Sequence, residues 1–205
     1  MDITSRRTVL AGAALTASSY SRVLGANDKI RIGVIGVGNR GSYQLKQNLA
    51  TGQVQCVAVC DVYSVRRDQA AGIAGGAVKT YGDHRQLLDH KDIDAVVVAT
   101  PDHWHAAIAT DACRAGKDVY VEKPMMHYPE HGQMLVRAAR ENKRVVAVGT
   151  QSRTTPHIQE ARRKFIEAGT LGKIGLVRTW LDSNAGYTMV APAGMEQQPD
   201  GLDWD

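Results

Sequence analysis

Aromatic residues, cysteines and long apolar runs are all scarce in this 205-residue sequence, which contains a single phenylalanine. The three cysteines, Cys56, Cys60 and Cys113, are odd in number and lack the spacing of a zinc site. Cys56 and Cys60 fall in a predicted buried strand, which favours small apolar core residues over reactive or metal-binding thiols. The composition, 43% hydrophobic and 22% charged, is typical of a globular protein and excludes a fibre or a disordered chain.

A large excess of charge of one sign is also lacking, since the net charge is only +4. Basic residues are scattered among acidic ones and form no stripe with interleaved aromatics, which argues against a nucleic-acid partner. The apolar run Ala11–Ser18 is far shorter than the roughly 20 residues of a membrane span, which argues against an anchor.

The N-terminal residues nevertheless follow the order of an export signal. Ser5–Leu10 contains Arg6 and Arg7 and precedes the apolar run and a stretch of small residues that ends near Ala26. This order resembles a twin-arginine signal over residues 1–26, and it predicts the Tat translocon as a partner and a periplasmic or otherwise exported location. The alternative is an ordinary frayed N-terminus that contains two arginines.

From Lys29 onward, short apolar segments rich in valine and isoleucine alternate with helical stretches. This alternation predicts an α/β fold with a doubly wound parallel sheet, covered by helices on both faces. The predicted strands are Ile30–Ile35, Val54–Val59, Ala95–Ala99, Val119–Val121 and Val145–Val148. The predicted helices are Ser42–Leu49, Val65–Ile73, His84–Asp89, His105–Ala115 and Glu130–Asn142.

The organisation changes after Gly149, where a polar passage over 150–156 precedes a predicted helix, Ile158–Ala168, and a predicted strand, Ile174–Leu181. One helix and one strand do not bury their own apolar faces. We therefore expect a Rossmann domain over 27–149, and over 150–205 the beginning of a second, incomplete α/β domain. The sequence is interpreted as a fragment.

A glycine-rich turn is the strongest local signal, because Gly36, Gly38 and Gly41 form a G-x-G-x-x-G pattern between the first strand and the first helix. Gly36 allows the tight turn, and Gly38 allows the backbone to approach a pyrophosphate. Gly41 allows the helix to pack closely on the strand. Asn39 and Arg40 complete the predicted cofactor-binding turn at the helix N-terminus, where amides and the dipole favour negative charge.

Asp61 lies 20 residues beyond Gly41, at the end of the second strand. A carboxylate there accepts hydrogen bonds from the adenosine ribose and repels a 2′-phosphate, which predicts NAD rather than NADP. Arg66 and Arg67 follow within two helical turns and would reach a phosphate if the loop turned inward. We interpret them instead as solvated charges on a helix face.

Two further loops follow strands at the predicted ligand-binding edge of the sheet. Thr100, Pro101, His103 and Trp104 follow the predicted strand Ala95–Ala99 and are expected to line the nucleotide crevice. His103 and His105 alone do not form a recognisable metal site, so no metal is predicted. Glu122, Lys123 and Pro124 follow the next strand; a lysine in this position is by itself more often a surface residue.

Together these motifs resemble the Gfo/Idh/MocA oxidoreductase family. The resemblance runs from about Lys29 to Trp180 and is carried by five ordered motifs and one aspartate. They are Gly33–Gly41, Asp61, Tyr81 with Asp83, Ala99–His105, Ala115–Pro124 and Gly149–Arg153. The family fold implies a Rossmann domain followed by an α/β domain with a large open sheet, which carries the substrate site and often an oligomer interface. A homo-oligomer is expected for a full-length protein.

By the same resemblance, Lys123 is the active-site lysine, partly buried beside the nicotinamide and the substrate hydroxyl, and the Lys123–Pro124 bond is expected to be cis. The resemblance also implies that Glu122 hydrogen-bonds within the nucleotide site, that Pro101, His103 and Trp104 border the cofactor, and that Gln151 and Arg153 lie near the crevice. The family's second domain usually adds an Asp and a His, and the sequence ends at Asp205 before that region.

The leading hypothesis is an NAD(P)-dependent oxidoreductase that transfers hydride between nicotinamide and a carbon bearing a sugar or polyol hydroxyl. One alternative is a glycosidase or lyase that oxidises a sugar transiently with a retained NAD; export favours it, whereas the presence of Lys123 argues against it. The other alternative is a non-catalytic nucleotide-binding remnant.

Overall fold

A sheet of six parallel strands forms the centre of the computed structural model, which describes residues 29–180 and 200–203. The strands are β1 (Ile30–Ile35), β2 (Val54–Cys60), β3 (Lys79–Tyr81), β4 (Ala95–Val98), β5 (Asp118–Glu122) and β6 (Val146–Gly149). Their order is β3-β2-β1-β4-β5-β6, and every neighbouring pair is parallel. The strand order reverses its direction between β1 and β4, which confirms the predicted doubly wound Rossmann fold.

Helices connect the strands and cover both faces of this sheet. They are α1 (Asn39–Ala50), α2 (Ser64–Ile73), α3 (His84–Leu88), α4 (Asp102–Arg114), α5 (Pro129–Glu141) and α6 (Pro156–Ala161), the last continued by a wider π-type turn over Arg162–Glu167. Several end at glycines with positive φ: Gly52 at +70°, Gly116 at +78° and Gly169 at +67°. Without a Cβ, glycine adopts this conformation at low cost.

Alternate residues of each strand supply two separate cores. On one face Ile35 and Val98 pack with Leu87, Ile108 and Leu135 of α3, α4 and α5. On the other face the apolar side chains of β1 and β2 pack against α1 and α2. Each fully buried valine, leucine or isoleucine contributes roughly 1.5–3 kcal/mol. Because both faces are covered, β1, β2 and β4 consist mostly of apolar residues.

The segment beyond β6 differs from its prediction. Residues 174–180 are exposed and form no strand, so the predicted strand Ile174–Leu181 is wrong over its described part; residue 181 lies outside the described residues. A strand needs a neighbour to pair its backbone groups, and the described residues contain no second sheet that could provide one. Strand β3 escaped prediction because its three residues, Lys79–Tyr81, include no apolar run.

The two ends of the chain are described only in part. The predicted twin-arginine segment, 1–26, lies outside the described residues. Leu202, in the short described tail, forms an antiparallel bridge with Tyr63 after β2. None of the helices in the described residues combines the length and apolarity needed to cross a membrane.

The three cysteines occupy the core, as predicted: Cys56, Cys60 and Cys113 are all buried and free. Burial raises the pKa of the Cys56 thiol to about 11, and burial together with the nearby Asp61 and Asp83 carboxylates raises the pKa of Cys60 to about 12. A thiol reacts as its thiolate, so both the charge state and the lack of access protect these groups.

We therefore expect native protein to leave all three thiols unmodified by Ellman's reagent at neutral pH, whereas protein in guanidinium chloride should release three equivalents of thionitrobenzoate per chain. Absorbance of the released product measures the reaction. Rapid modification of any thiol in the native protein would contradict the burial described above.

Candidate cofactor-binding site

The strand register aligns the ends of four strands at one edge of the sheet. Ile35 of β1 pairs with Cys60 of β2 and with Val98 of β4, and Val98 pairs with Val121 of β5. The residues that follow these strands therefore lie side by side at the carboxyl edge. This edge contains the glycine turn, Asp61 and the two predicted loops, at the point where a doubly wound sheet holds ligands.

Steric contacts explain two of the glycines in the turn. Gly36 has φ +81°, and a Cβ on it would lie 2.6 Å from the amide nitrogen of Thr100. A Cβ on Gly41 would overlap the carbonyl oxygen of Gly36. The turn after β1 thus packs directly on the backbone after β4, and α1 packs directly on the turn, as the sequence predicts for both positions.

The first turn of α1 meets the requirements of a phosphate site. Gly38 is its N-cap, and within residues 29–180 no side chain caps this end and its first turn carries no acidic residue. Asn39 is exposed there. The buried Thr100 hydroxyl, across the turn, has no hydrogen-bond partner among the described residues. Free helix amides and an unpaired hydroxyl suit a diphosphate.

Asp61 is a buried carboxylate that links this turn to β2. Its Oδ2 accepts a hydrogen bond of 2.9 Å from the amide of Val37, and its Oδ1 accepts one of 3.0 Å from the amide of Tyr63. An ionised carboxylate offers about four acceptor positions, so two remain for ribose hydroxyls. The structure therefore gives Asp61 a second task that the sequence did not reveal, which is to hold the glycine turn in place.

Arg66 is exposed on α2, which agrees with its interpretation as a solvated charge on a helix face, whereas that interpretation is wrong for Arg67. Arg67 donates a 2.6 Å hydrogen bond to the carbonyl oxygen of Asp61. The Arg66 guanidinium lies 5.8 Å from the centre of the Tyr63 ring and 3.3 Å from the position that a Cβ on Gly38 would take. Arg67 turns inward because the carbonyl oxygen of Asp61, directly after β2, offers it an acceptor, while Arg66 stays exposed beside Tyr63 and Gly38.

Glu122 and Arg40, both predicted to contact the cofactor, bind each other. Arg40 reaches Oε1 of Glu122 through two guanidinium nitrogens, each at 2.7 Å, and Gln44 donates to the same oxygen at 2.5 Å. Glu122 is 2% exposed, and a buried carboxylate requires such partners. The pair fixes α1 to the end of β5. Gln44 was not predicted, since glutamine on a helix carries no distinctive signal.

The connection after β4 ends at Pro101, the N-cap of α4, and His103 and Trp104 are exposed in the first turn of that helix rather than in a loop. The Trp104 ring is half exposed and lies 6.0 Å from the ring of His103 and 6.4 Å from that of His84. The described residues contain no group of three metal-ligating side chains. An exposed aromatic surface beside the crevice can stack on a planar ligand.

The Lys123–Pro124 bond is cis, as the family resemblance predicts. Both residues are exposed at the end of β5, so the partial burial expected for Lys123 is not found among the described residues. The backbone amide of Lys123 donates to Oε2 of Glu122 at 3.3 Å, which ties the lysine to the buried ion pair. Gly149 pairs with Glu122 in the sheet, so Gln151 and Arg153 follow β6 at the same edge.

His105 was not predicted as a site residue, yet it contacts two of the loops that were. The ring is 1% exposed. Its Nδ1 lies 2.7 Å from the carbonyl oxygen of Pro124, and its Nε2 lies 2.8 Å from that of Thr100. Both partners are backbone atoms, so no pattern of residue types could have revealed this contact.

Comparisons with known proteins match this arrangement. The Gfo/Idh/MocA family model, described as an oxidoreductase family with an NAD-binding Rossmann fold, matches residues 30–150. The inositol 2-dehydrogenase of Rhizobium meliloti (strain 1021) is 31% identical over 148 residues, which are 72% of this chain and 44% of that protein. A glycosyl hydrolase family 109 protein of Shewanella sp. (strain MR-4) is 36% identical over 118 residues, which are 54% of this chain and 26% of that protein.

Among solved structures, the WlbA dehydrogenase from Bordetella pertussis in complex with NADH and UDP-GlcNAcA superimposes with a TM-score of 0.66 at 28% identity. The aligned part covers 71% of this chain and 44% of that one. The chain thus spans less than half the length of the inositol dehydrogenase and of this structural neighbour. The family model covers more than half of the chain and includes the whole carboxyl edge; the chain belongs to the Gfo/Idh/MocA oxidoreductase family, and its described sheet is an NAD-binding Rossmann domain.

Proposed function

We propose that this protein is an NAD-dependent oxidoreductase that transfers a hydride between the nicotinamide and a carbon bearing a sugar or polyol hydroxyl. The observation that carries the proposal is the convergence of the glycine turn, Asp61 and Lys123 on one edge of the sheet. The relation to inositol 2-dehydrogenases supports a polyol substrate.

The two ends of the cofactor would meet different residues of this edge. The free amides at the start of α1, beside Gly38, would hold the diphosphate, and the Thr100 hydroxyl would supply a further hydrogen bond. The remaining acceptor positions of Asp61 would bind the adenosine ribose. The negative charge of Asp61 opposes a 2′-phosphate, whereas the exposed Arg66 guanidinium beside Gly38 would attract one. We propose that Asp61 prevails, because it is buried and held by two amides.

Lys123 is proposed as the catalytic residue. When bound, NAD⁺ supplies a two-electron oxidant that accepts hydride at its nicotinamide ring. The Lys123 ammonium would hydrogen-bond the substrate hydroxyl, whose oxygen gains negative charge as its proton leaves and its carbon becomes a carbonyl. The hydroxyl proton would pass to a histidine that the family places in its second domain. Lys123 is exposed at the sheet edge and so is open to a substrate.

A second candidate function rests on the 36% identity with a glycosyl hydrolase family 109 protein. In that case a sugar would be oxidised, cleaved and reduced again with the same NAD, and no NADH would accumulate. The presence of Lys123 favours the dehydrogenase.

Incubation of the protein with NAD and a panel of polyols and glycosides distinguishes the candidates: NADH accumulation supports the dehydrogenase, and glycoside cleavage without NADH supports the glycosidase. Binding of NAD with neither reaction supports a non-catalytic remnant.

We also propose that the protein is exported to the periplasm by the twin-arginine route. A homo-oligomer is proposed as well. The support for export is the order of charged, apolar and small residues over 1–26. The support for an oligomer is the family resemblance.

Replacement of Asp61 tests the preference for NAD. In Asp61→Asn, we expect the ratio of the NAD affinity to the NADP affinity to fall about tenfold, because the charge that opposes the 2′-phosphate and strengthens the ribose bonds is lost. Calorimetric titration with both dinucleotides measures the ratio. Any disturbance of the turn held by Asp61 weakens both ligands, so the ratio isolates the charge. An unchanged ratio would show that Asp61 does not select the cofactor.

Replacement of Lys123 tests its catalytic role. In Lys123→Met, we expect kcat to fall by about 10²- to 10⁴-fold while the dissociation constant of NAD stays within about twofold. Initial rates with the substrate found in the panel measure the effect. Lys91→Met is the matched control, since Lys91 is exposed and precedes β4 at the opposite edge of the sheet. Equal rates for both variants would remove Lys123 from the mechanism.

A further inference from the structure

Both ring nitrogens of His105 face hydrogen-bond acceptors. His105 lies in the second turn of α4, and its nitrogens point at two carbonyl oxygens, that of Pro124 at 2.7 Å and that of Thr100 at 2.8 Å. Carbonyl oxygens only accept hydrogen bonds. A neutral imidazole has one N–H, so it would leave its other nitrogen with a lone pair directed at a carbonyl oxygen. Only a ring that carries a proton on both nitrogens donates to both carbonyls.

The two carbonyls belong to the loops on either side of the proposed reaction centre. Thr100 ends the connection after β4, which packs on the glycine turn at Gly36. Pro124 follows Lys123 after β5. The strands themselves are paired, with Val98 opposite Val121, but that pairing stops before the loops begin. The buried His105 ring joins the loops beyond the last strand pair.

We infer that His105 is a positioning residue: its ring, protonated on both nitrogens, ties the Lys123–Pro124 loop to the Thr100 loop and so places Lys123 against the cofactor. The inference rests on the proposed role of Lys123. The ring itself is buried beneath the edge and acts through the two backbone carbonyls. Charge-assisted hydrogen bonds are stronger than neutral ones, which suits a link between two exposed loops.

Two substitutions separate the two halves of this link. The amide nitrogen of an asparagine comes closest to the position of Nδ1, so His105→Asn keeps the bond to Pro124 and loses the bond to Thr100. The longer glutamine reaches the position of Nε2, so His105→Gln keeps the bond to Thr100 and loses the bond to Pro124. His105→Leu removes both. Thermal unfolding of each variant shows whether it folds, and the Asn and Gln pair suffices if the Leu variant does not.

Nuclear magnetic resonance tests the hydrogen bonds of His105 without any substrate. In the native protein we expect both His105 ring nitrogens to resonate as protonated nitrogens. In His105→Asn, the backbone amide signals of Thr100 and Asp102 should move while those of Lys123 and Met125 stay near their native positions. In His105→Gln, the pattern should be reversed. A residue that merely supports the fold would disturb both loops alike in the two variants.

Turnover and cofactor binding complete the test. We expect kcat to fall about tenfold or more in His105→Gln, about the effect of one lost hydrogen bond, and less than about threefold in His105→Asn. The NAD dissociation constant, measured by calorimetry, should change less than kcat in the Gln variant. One unprotonated ring nitrogen, or the same signals moving in both variants, would overturn the inference. If native protein does not bind NAD, the proposed function fails, while the ring nitrogens and the two amide patterns still decide whether the link exists.

Discussion

The buried Asp61 carboxylate, with one oxygen bonded to the amide of Val37 and the other to the amide of Tyr63, is the interaction on which the site depends. It fixes the glycine turn after β1 to the loop after β2. With the turn held, Gly36 lies against the backbone of Thr100, and α1 points its free amides toward the crevice. The carboxylate thus shapes the site and carries the charge that selects its ligand.

A second buried carboxylate organises the other half of the edge. Glu122 draws Arg40 and Gln44 from α1 and the amide of Lys123 from its own loop. A buried ion pair adds little net stability after desolvation, but the loss of one partner leaves an uncompensated charge. The helix that presents the phosphate site and the strand that presents the lysine are therefore coupled through Glu122, on the side of the sheet switch point opposite Asp61.

The sequence was sufficient to predict the fold, because a two-sided parallel sheet demands apolar strands and the turn demands glycines at Gly36 and Gly41. Both requirements restrict which residue types fit, so both can be recognised in the sequence. The sequence was also sufficient to predict that Asp61 and Lys123 lie at the same edge of the sheet. The partners of these groups escaped prediction: Arg40 and Glu122 are far apart in the chain, and Arg67 and His105 contact backbone carbonyls, which carry no sequence signal.

The prediction of a strand over Ile174–Leu181 failed for a related reason. Apolar residues in 174–180 are exposed, and hydrophobicity alone does not state which surface will cover them. Strand β3 shows the converse, since Lys79–Tyr81 is held by pairing with β2 despite its exposed side chains. In both segments the outcome depends on whether a neighbouring strand is there to pair with: β2 pairs with β3, and no described strand pairs with residues 174–180.

We propose that the glycine turn and Asp61 bind the two halves of one adenosine diphosphate group. Titration of the ¹⁵N-labelled protein with NAD, followed by amide resonances, tests it most directly. We expect the signals of residues 36–41 and of Asp61 and Tyr63 to shift together along one saturating curve. Saturating NAD that leaves these signals in place, or that shifts only signals along α5, would contradict it.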